Sequence, residues 1–465
     1  MSITGQRPVN TRLGAATDWV ARIALVLVVA VVAASCSGGD DAESGPTSST
    51  GSTTSTIAED EGGKLFDASV VHSISIDFDQ ADYDDMLETF SESNEKVWIE
   101  ATVTVDGVTY ERAGLRLKGN SSLMSLRGGQ SGRPGGGPSG GADAESPESL
   151  PWLIRLDEFV EDQRHQGYAD IVVRSNSSET SLNEAVALDL LDTTTLASQE
   201  AIFTTFSANG GDPVLRLAIE HPDDDAWQDR SFQGDGALYK AESTGDWTYR
   251  GDDPDSYAEV FDQEGGKKVA DLTPLIDFLQ FINESDDATF AAELEEHLDV
   301  ESFATYLALM DLLENFDDID GPGNNAYLWW DAATEQFTIV PWDMNLAFGA
   351  MGGIGRDGGP GGFDPSQLPN GGQPPAGGGG GPGGGFGREN ILVQRFHEVA
   401  EFEELYRDRL VYFRGDLFAT DTAESILDDL VQTLQEGTDV VKDATIEDEA
   451  SALRERFEAT ATAAD

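Results

Sequence analysis

Cysteine is almost missing: Cys36 is the only one in 465 residues, so no disulfide can form within the chain. Histidine is scarce too. The five residues at 72, 165, 221, 297 and 397 show no His-x-x-x-His or Glu-x-x-His spacing, which argues against a zinc site. The Gly-x-Ser-x-Gly match at Gly137-Pro138-Ser139-Gly140-Gly141 falls in a Gly/Pro-rich tract without the strand and helix that a nucleophile elbow needs, so it does not signal a serine hydrolase. Basic residues number 28 against 87 acidic ones, and the formal charge of −59 creates a field that repels nucleic acid, anionic headgroups and free phosphate esters. No nucleic-acid partner is expected. An enzyme handling phosphate in such a field needs a divalent cation or a few well-placed Lys and Arg residues.

What the chain does have begins at the N-terminus. Arg7, Arg12 and Arg22 precede the apolar run from Ile23 to Ala34, about 12 residues long against the roughly 20 that a membrane span needs. The run reads as a signal peptide ending in Ala33-Ala34-Ser35-Cys36. That end is similar to a bacterial lipobox, with Cys36 as the lipidated residue. Residues 1–36 are therefore expected to be signal and lipobox, residues 37–62 a flexible Ser/Thr-rich spacer, and residues 63–465 the folded domain. The expected location is the outer face of the cytoplasmic membrane or the cell surface, with a lipid as the membrane contact and a monomeric protein.

With 39 % hydrophobic residues the chain can bury a core. Alternation predicts strands from Val70, over 98–105 and 108–117 around the hairpin signal Asp106-Gly107, and over 152–156, 167–173, 214–220 and 237–242. Helical spacing predicts 80–90, 181–191, 273–282, 288–298, 300–315, 391–413 and pieces of 423–459. Strands early and helices late make an α+β protein. Two Gly/Pro-rich tracts, 128–141 and 349–387, read as loops inserted in one domain.

The densest polar cluster is Asn315-Phe316-Asp317-Asp318-Ile319-Asp320-Gly321-Pro322-Gly323-Asn324-Asn325, between a helix and a strand. An EF-hand loop does not fit: placing Gly321 on its invariant glycine puts Phe316 at the first ligand position and Tyr327 where a bidentate Glu belongs. A polar turn with Asx caps remains an alternative. After the next hairpin, a strand runs into Pro341-Trp342-Asp343-Met344-Asn345. An Asp at a strand end, with Asn345 two residues on, suits Mg²⁺ held by carboxylate and amide oxygens.

At these residues the sequence resembles the CotH kinase family, whose members have a diverged protein-kinase-like fold. The marks are Gly114-Leu115-Arg116-Leu117-Lys118-Gly119-Asn120-Ser121-Ser122, Arg174 to Leu191, Gly236-Ala237-Leu238-Tyr239-Lys240, Asn315-Phe316-Asp317-Asp318 with Asn324-Asn325, and Pro341 to Asn345. The resemblance implies two lobes, a strand-rich one followed by a helical one. It implies an atypical protein kinase that uses ATP with Mg²⁺ or Mn²⁺, or Ca²⁺, on Ser or Thr of an extracytoplasmic protein. Asp317 would be the catalytic-loop acid, with Asp318 and Asp320 as alternatives. Asn324 or Asn325, Asp343 and Asn345 would be the metal ligands; many relatives carry Asp at the Asn345 position. Arg116, Lys118, Gly119, Asn120 and Ser121 would lie over the phosphates, Arg155, Lys118 or Lys240 would supply the cation, Glu184 would orient it, and Glu220 would lie near the hinge. Two other outcomes stay open: transfer of another group, by adenylylation or glutamylation, and a non-catalytic scaffold or adhesin stabilised by Ca²⁺.

Overall fold

The computed structural model describes residues 64–126, 143–242, 244–315, 317–321, 323–350 and 390–463. The signal-like segment, Cys36, the spacer and both glycine tracts, apart from Gly349 and Ala350, lie outside the described residues. Among the described residues, no helix is long and apolar enough to cross a membrane.

Strands β1 (His72–Phe78), β2 (Ile99–Val105), β3 (Val108–Leu117), β4 (Trp152–Arg155), β5 (Asp170–Val173), β6 (Ala201–Ala208) and β7 (Val214–Ile219) close into a barrel in the order β1-β2-β3-β4-β5-β7-β6. Every pairing is antiparallel except the closing one between β1 and β6. Between β2 and β3 the turn residues Asp106 (φ 48°) and Gly107 (φ 83°) are both left-handed. A two-residue hairpin needs that twist, and glycine supplies it without strain. Gly107→Ala is expected to destabilise the protein by about 1 kcal/mol. An added methyl would touch nothing, so the loss read from urea unfolding is a backbone effect; an unchanged midpoint would contradict it.

The barrel interior takes alternate residues from each strand, among them Ile74, Val103, Leu115, Trp152, Ile154, Ile171, Val173 and Phe206. Strands β1 and β2 leave their other face partly exposed, whereas β4, β5 and β7 bury both. Leu153, Val172, Leu217 and Ile219 point outward into a second, larger core. Double burial explains why these short strands read as continuous apolar runs. The second core holds α2 (Leu182–Asp192), a four-stranded sheet and the later helices. Its sheet has the order β11-β10-β8-β9, built from β8 (Gly236–Ala241), β9 (Phe261–Gly265), β10 (Ala326–Asp331) and β11 (Phe337–Pro341).

Helices α1 (Gln80–Ser93), α3 (Asp225–Ser231), α4 (Thr273–Glu284), α5 (Asp287–His297), α6 (Val300–Leu312), α7 (Ile391–Glu398), α8 (Ala400–Phe413), α9 (Thr422–Gly437) and α10 (Asp443–Thr462) complete the fold. The mixed α/β content is as expected. Four features depart from expectation. Strands β6 and β9 and helix α3 were not anticipated, and the single helix over 391–413 breaks at Val399, whose extended backbone caps α7.

Candidate functional site

The acidic loop leaves α6 through Glu314, whose φ of 50° turns the chain sharply. Within it, Asp318 Oδ1 accepts from the Asp320 and Gly321 amides at 3.0 Å each. That carboxylate shapes the turn. Asn325 is buried; its Nδ2 donates to the Asp317 carbonyl at 2.8 Å, while its Oδ1 accepts from Asn324 Nδ2 at 3.0 Å. Lys240, opposite Tyr327 in the β8–β10 register, donates at 2.6 Å to the Asn324 carbonyl and to its own neighbour's. Both ends of the loop are thereby fixed, and Asp317 is held with its carboxylate close enough to Asp343 to feel its charge. Burial, and next the Asp343 charge, push the Asp317 carboxyl up to about 7. Asp320 is half-buried on the same loop.

Strand β11 delivers the second part. After Pro341 the chain turns through Asp343, left-handed at φ 67°, into a 3-10 helix over 344–349. Phe348 (φ 59°) and Ser181 (φ 58°), just before α2, are left-handed too. Non-glycine residues in this region are rare, and the four here, Ser181, Glu314, Asp343 and Phe348, all lie on segments that converge on Asp343. The convergence is held by side chains. Asn183 Nδ2 donates to the Asn345 carbonyl at 2.8 Å and, at 3.4 Å, to that of Ala347. Arg174, one residue past β5, pairs with Glu184 at 2.9 Å and with Asp343. Glu184 is 1 % exposed and Arg174 8 %. Burial pushes the Glu184 carboxyl up, and the Arg174 guanidinium opposes that rise.

This pairing corrects one expectation. Glu184 does not orient Arg155; that guanidinium makes two bonds to Asp170, at 2.8 and 2.7 Å, and stacks over Trp98. Arg155 points along the barrel strands β4 and β5, where Asp170 is its direct cross-strand partner. Arg174 was missed because its role depends on a helix meeting a strand end. The signal available was its place after the apolar run Ile171-Val172-Val173, directly before α2.

A second cluster lies around Lys118. Its Nζ donates to His221 Nε2 at 2.7 Å, and His221 Nδ1 donates to Asp170 Oδ2 at 2.8 Å. Burial would raise the Asp170 carboxyl, but the bonds from Arg155 and His221 outweigh it and hold it well below the usual range. Burial lowers Lys118, and it takes Lys240 down to about 8, with the Lys118 charge acting in the same direction. Two amines and Arg116 are thus gathered at one place in a strongly acidic protein. Arg116 lies over Trp98 with a buried Nε that meets no acceptor among the described residues. Gly119 (φ 105°) turns the chain after Lys118, and a methyl there would collide with Ser122 Oγ. Asn120 is exposed and Ser121 opens a 3-10 helix over 121–126. Glu220, the residue before His221, bonds to a different set of partners. Its carboxylate accepts from Tyr168 Oη at 2.8 Å, the Glu200 amide at 2.7 Å and Arg230, and so braces the barrel's outer face.

The donor set fits a hard divalent cation. Asn345 Oδ1 is buried without a partner among the described residues, and the Asp317 and Asp343 carboxylates repel each other across a low-dielectric gap. No group of three or more His, Cys, Asp or Glu side chains with metal-binding geometry occurs among the described residues. A cation here would therefore rest on the Asp343 carboxylate with amide oxygens and water, with the Asp317 carboxylate nearby.

A family model described as CotH kinase protein matches residues 115–461, a stretch that contains every cluster above. Inner spore coat protein H of Bacillus subtilis (strain 168) is similar to the chain, 24 % identical over 205 residues, which are 41 % of this chain and 53 % of that protein. The chain spans about half the length of that curated relative.

Proposed function

The chain belongs to the CotH kinase family, and from that premise we propose that it is an exported, lipid-anchored atypical protein kinase that moves the terminal phosphoryl group of ATP to Ser or Thr hydroxyls of extracytoplasmic proteins. The observation that carries this reading is the meeting of Asp317, Asp343 and the buried Arg174–Glu184 pair. Phosphoryl transfer needs a carboxylate near the acceptor hydroxyl, a cation on the phosphates held by a helix acid, and an acid that binds metal. The three groups supply those roles in one place. In this reading the barrel and the helical part correspond to the two lobes of a diverged kinase-like fold.

Asp317 accepts the proton of the acceptor hydroxyl, and a carboxyl near 7 is matched to that task at neutral pH. Arg174, fixed by Glu184, neutralises phosphate oxygens with a planar donor pair. Arg116 and Lys118 sit on the turn that would cover the remaining phosphates, and their charge offsets the repulsion from the acidic surface. Asp343 and Asn345, with Asp317 near, would hold Mg²⁺ or Mn²⁺, which when bound would supply charge stabilisation of the transferring group. Lys240 keeps the Asn324-Asn325 end of the loop in place.

Purified protein incubated with labelled ATP, Mg²⁺ or Mn²⁺ and casein-like or cell-surface proteins should transfer label to Ser or Thr, and Asp343→Ala should remove that transfer. Label that persists in Asp343→Ala would refute the site. The mass added per acceptor decides between phosphate, adenylate and glutamate.

A further inference from the structure

Helix α10 lies far along the chain from the loops that bear Asp317 and Asp343, yet it grips the supports of both. The Glu449 carboxylate accepts from Ser178 Oγ at 2.7 Å, the Glu179 amide at 2.9 Å, the Thr180 amide at 3.2 Å and Thr180 Oγ1. One carboxylate thus gathers four donors from three consecutive residues. Those residues lead into α2, and the two hydroxyls pass the order on: Ser178 Oγ accepts from the Ser181 amide at 3.0 Å and Thr180 Oγ1 from the Leu182 amide at 3.1 Å. The next two residues are Asn183, which holds the Asn345 and Ala347 carbonyls, and Glu184, which holds Arg174 against Asp343.

Two turns farther along the same face of α10, Arg456 pairs with Glu314 at 3.5 Å, and the Phe457 ring meets Phe348 edge-on at 5.3 Å. Glu314 opens the acidic loop and Phe348 closes the Asp343 segment. One rigid helix therefore touches the approach to α2, the start of the Asp317 loop and the end of the Asp343 segment.

We propose that Glu449 is a positioning residue: by ordering residues 178–181 it sets the place of Asn183 and Glu184, and through them that of Asp343 and Asn345 relative to the Asp317 loop. A carboxylate is required because all four groups it meets are donors. The amide of a glutamine would turn a hydrogen-bearing nitrogen toward part of that set, and a charged acceptor binds donors more strongly than a neutral one. The consequence for turnover rests on the kinase reading above; the mechanical coupling does not.

Hydrogen exchange on the full chain reads the coupling directly. In Glu449→Gln and Glu449→Ala, exchange should rise about tenfold over 182–186 and also over 344–348, which the Glu449 side chain does not itself touch; Phe457→Ala, which cuts the direct contact of the helix with Phe348, should leave 182–186 unchanged. A rise confined to 178–182, with 344–348 unchanged, overturns the proposal, because a purely local cap would do no more. Thr180→Val removes part of the same grip from the loop side and should give the same two-segment pattern if the Glu449 variants fail to fold. Glu455→Ala, exposed on the same helix, should leave both segments as they are. In the transfer assay, Glu449→Gln should lower kcat about tenfold, as expected when reacting groups are slightly misplaced. If the parent protein labels no acceptor, the kinase reading falls, and the exchange pattern still decides the role of Glu449.

Discussion

In Asp317→Asn, phosphoryl transfer should fall by about 10²–10⁴-fold, the range removed with a general base. The amide keeps the shape of the loop, since the Asn325 side chain bonds to the Asp317 carbonyl and not only to its carboxyl. Mg²⁺-nucleotide should therefore still raise the melting temperature of the variant. The pH dependence adds a second reading. With the carboxyl near 7, the parent's kcat/KM should climb as pH rises through that value, and this limb should be missing from the residual activity of the variant. Stability runs the other way. The group's folded value lies above the ordinary 3.8, so the folded state holds a proton that the unfolded chain releases, and stability falls as pH rises between those values. Asp317→Asn removes that loss, and the variant should melt higher than the parent at pH 8 and close to it at pH 3. An unchanged transfer rate, or a lower melting temperature at pH 8, would defeat the assignment.

Arg174→Met should be the most damaging single change to the fold among those considered, by about 3–5 kcal/mol, because it leaves the Glu184 carboxylate buried without its counter-charge. The damage should shrink as pH falls, since protonation then neutralises Glu184, whose carboxyl burial has already raised. Glu184→Gln alone should be milder, as Arg174 retains Asp343. Combining Arg174→Met with Glu184→Leu should recover much of the loss in denaturant unfolding while leaving transfer abolished. That split would separate what the pair does for packing from what it does for phosphate. A double variant as unstable as Arg174→Met would show that the cost comes from elsewhere in the strand end.

Much of the fold can be read from local signals. Asp106-Gly107 announces its hairpin because only a left-handed pair fits, and β1 and β2 alternate because one face is wet. The misses have physical reasons. Strand β6 buries nearly every residue, which erases the period of two. Strand β9, Phe-Asp-Gln-Glu-Gly, has the composition of a turn and is a strand because β8 pairs with it. The break at Val399 carries neither proline nor glycine. At the site, the acids of the loop and Asp343 stand out by crowding, whereas Arg174, Asn183 and Glu449 acquire meaning only when distant segments meet. Arg155 was a reasonable choice by strand position, but cross-strand register gives it to Asp170.

The parallel seam between β1 and β6 has a consequence for how the molecule is made. His72 pairs with Thr204, and the Thr205 hydroxyl reaches the His72 carbonyl across 133 positions of chain. No neighbouring hairpin can nucleate such a contact, and its entropy must be met before any of its hydrogen bonds form. Until β6 is available, β1 presents a bare edge whose amides any extended peptide could match. During synthesis, then, the first strand to emerge waits for the sixth before it finds its second neighbour. The risk of mispairing is concentrated in that interval, and a chain cut short before residue 201 would keep it permanently.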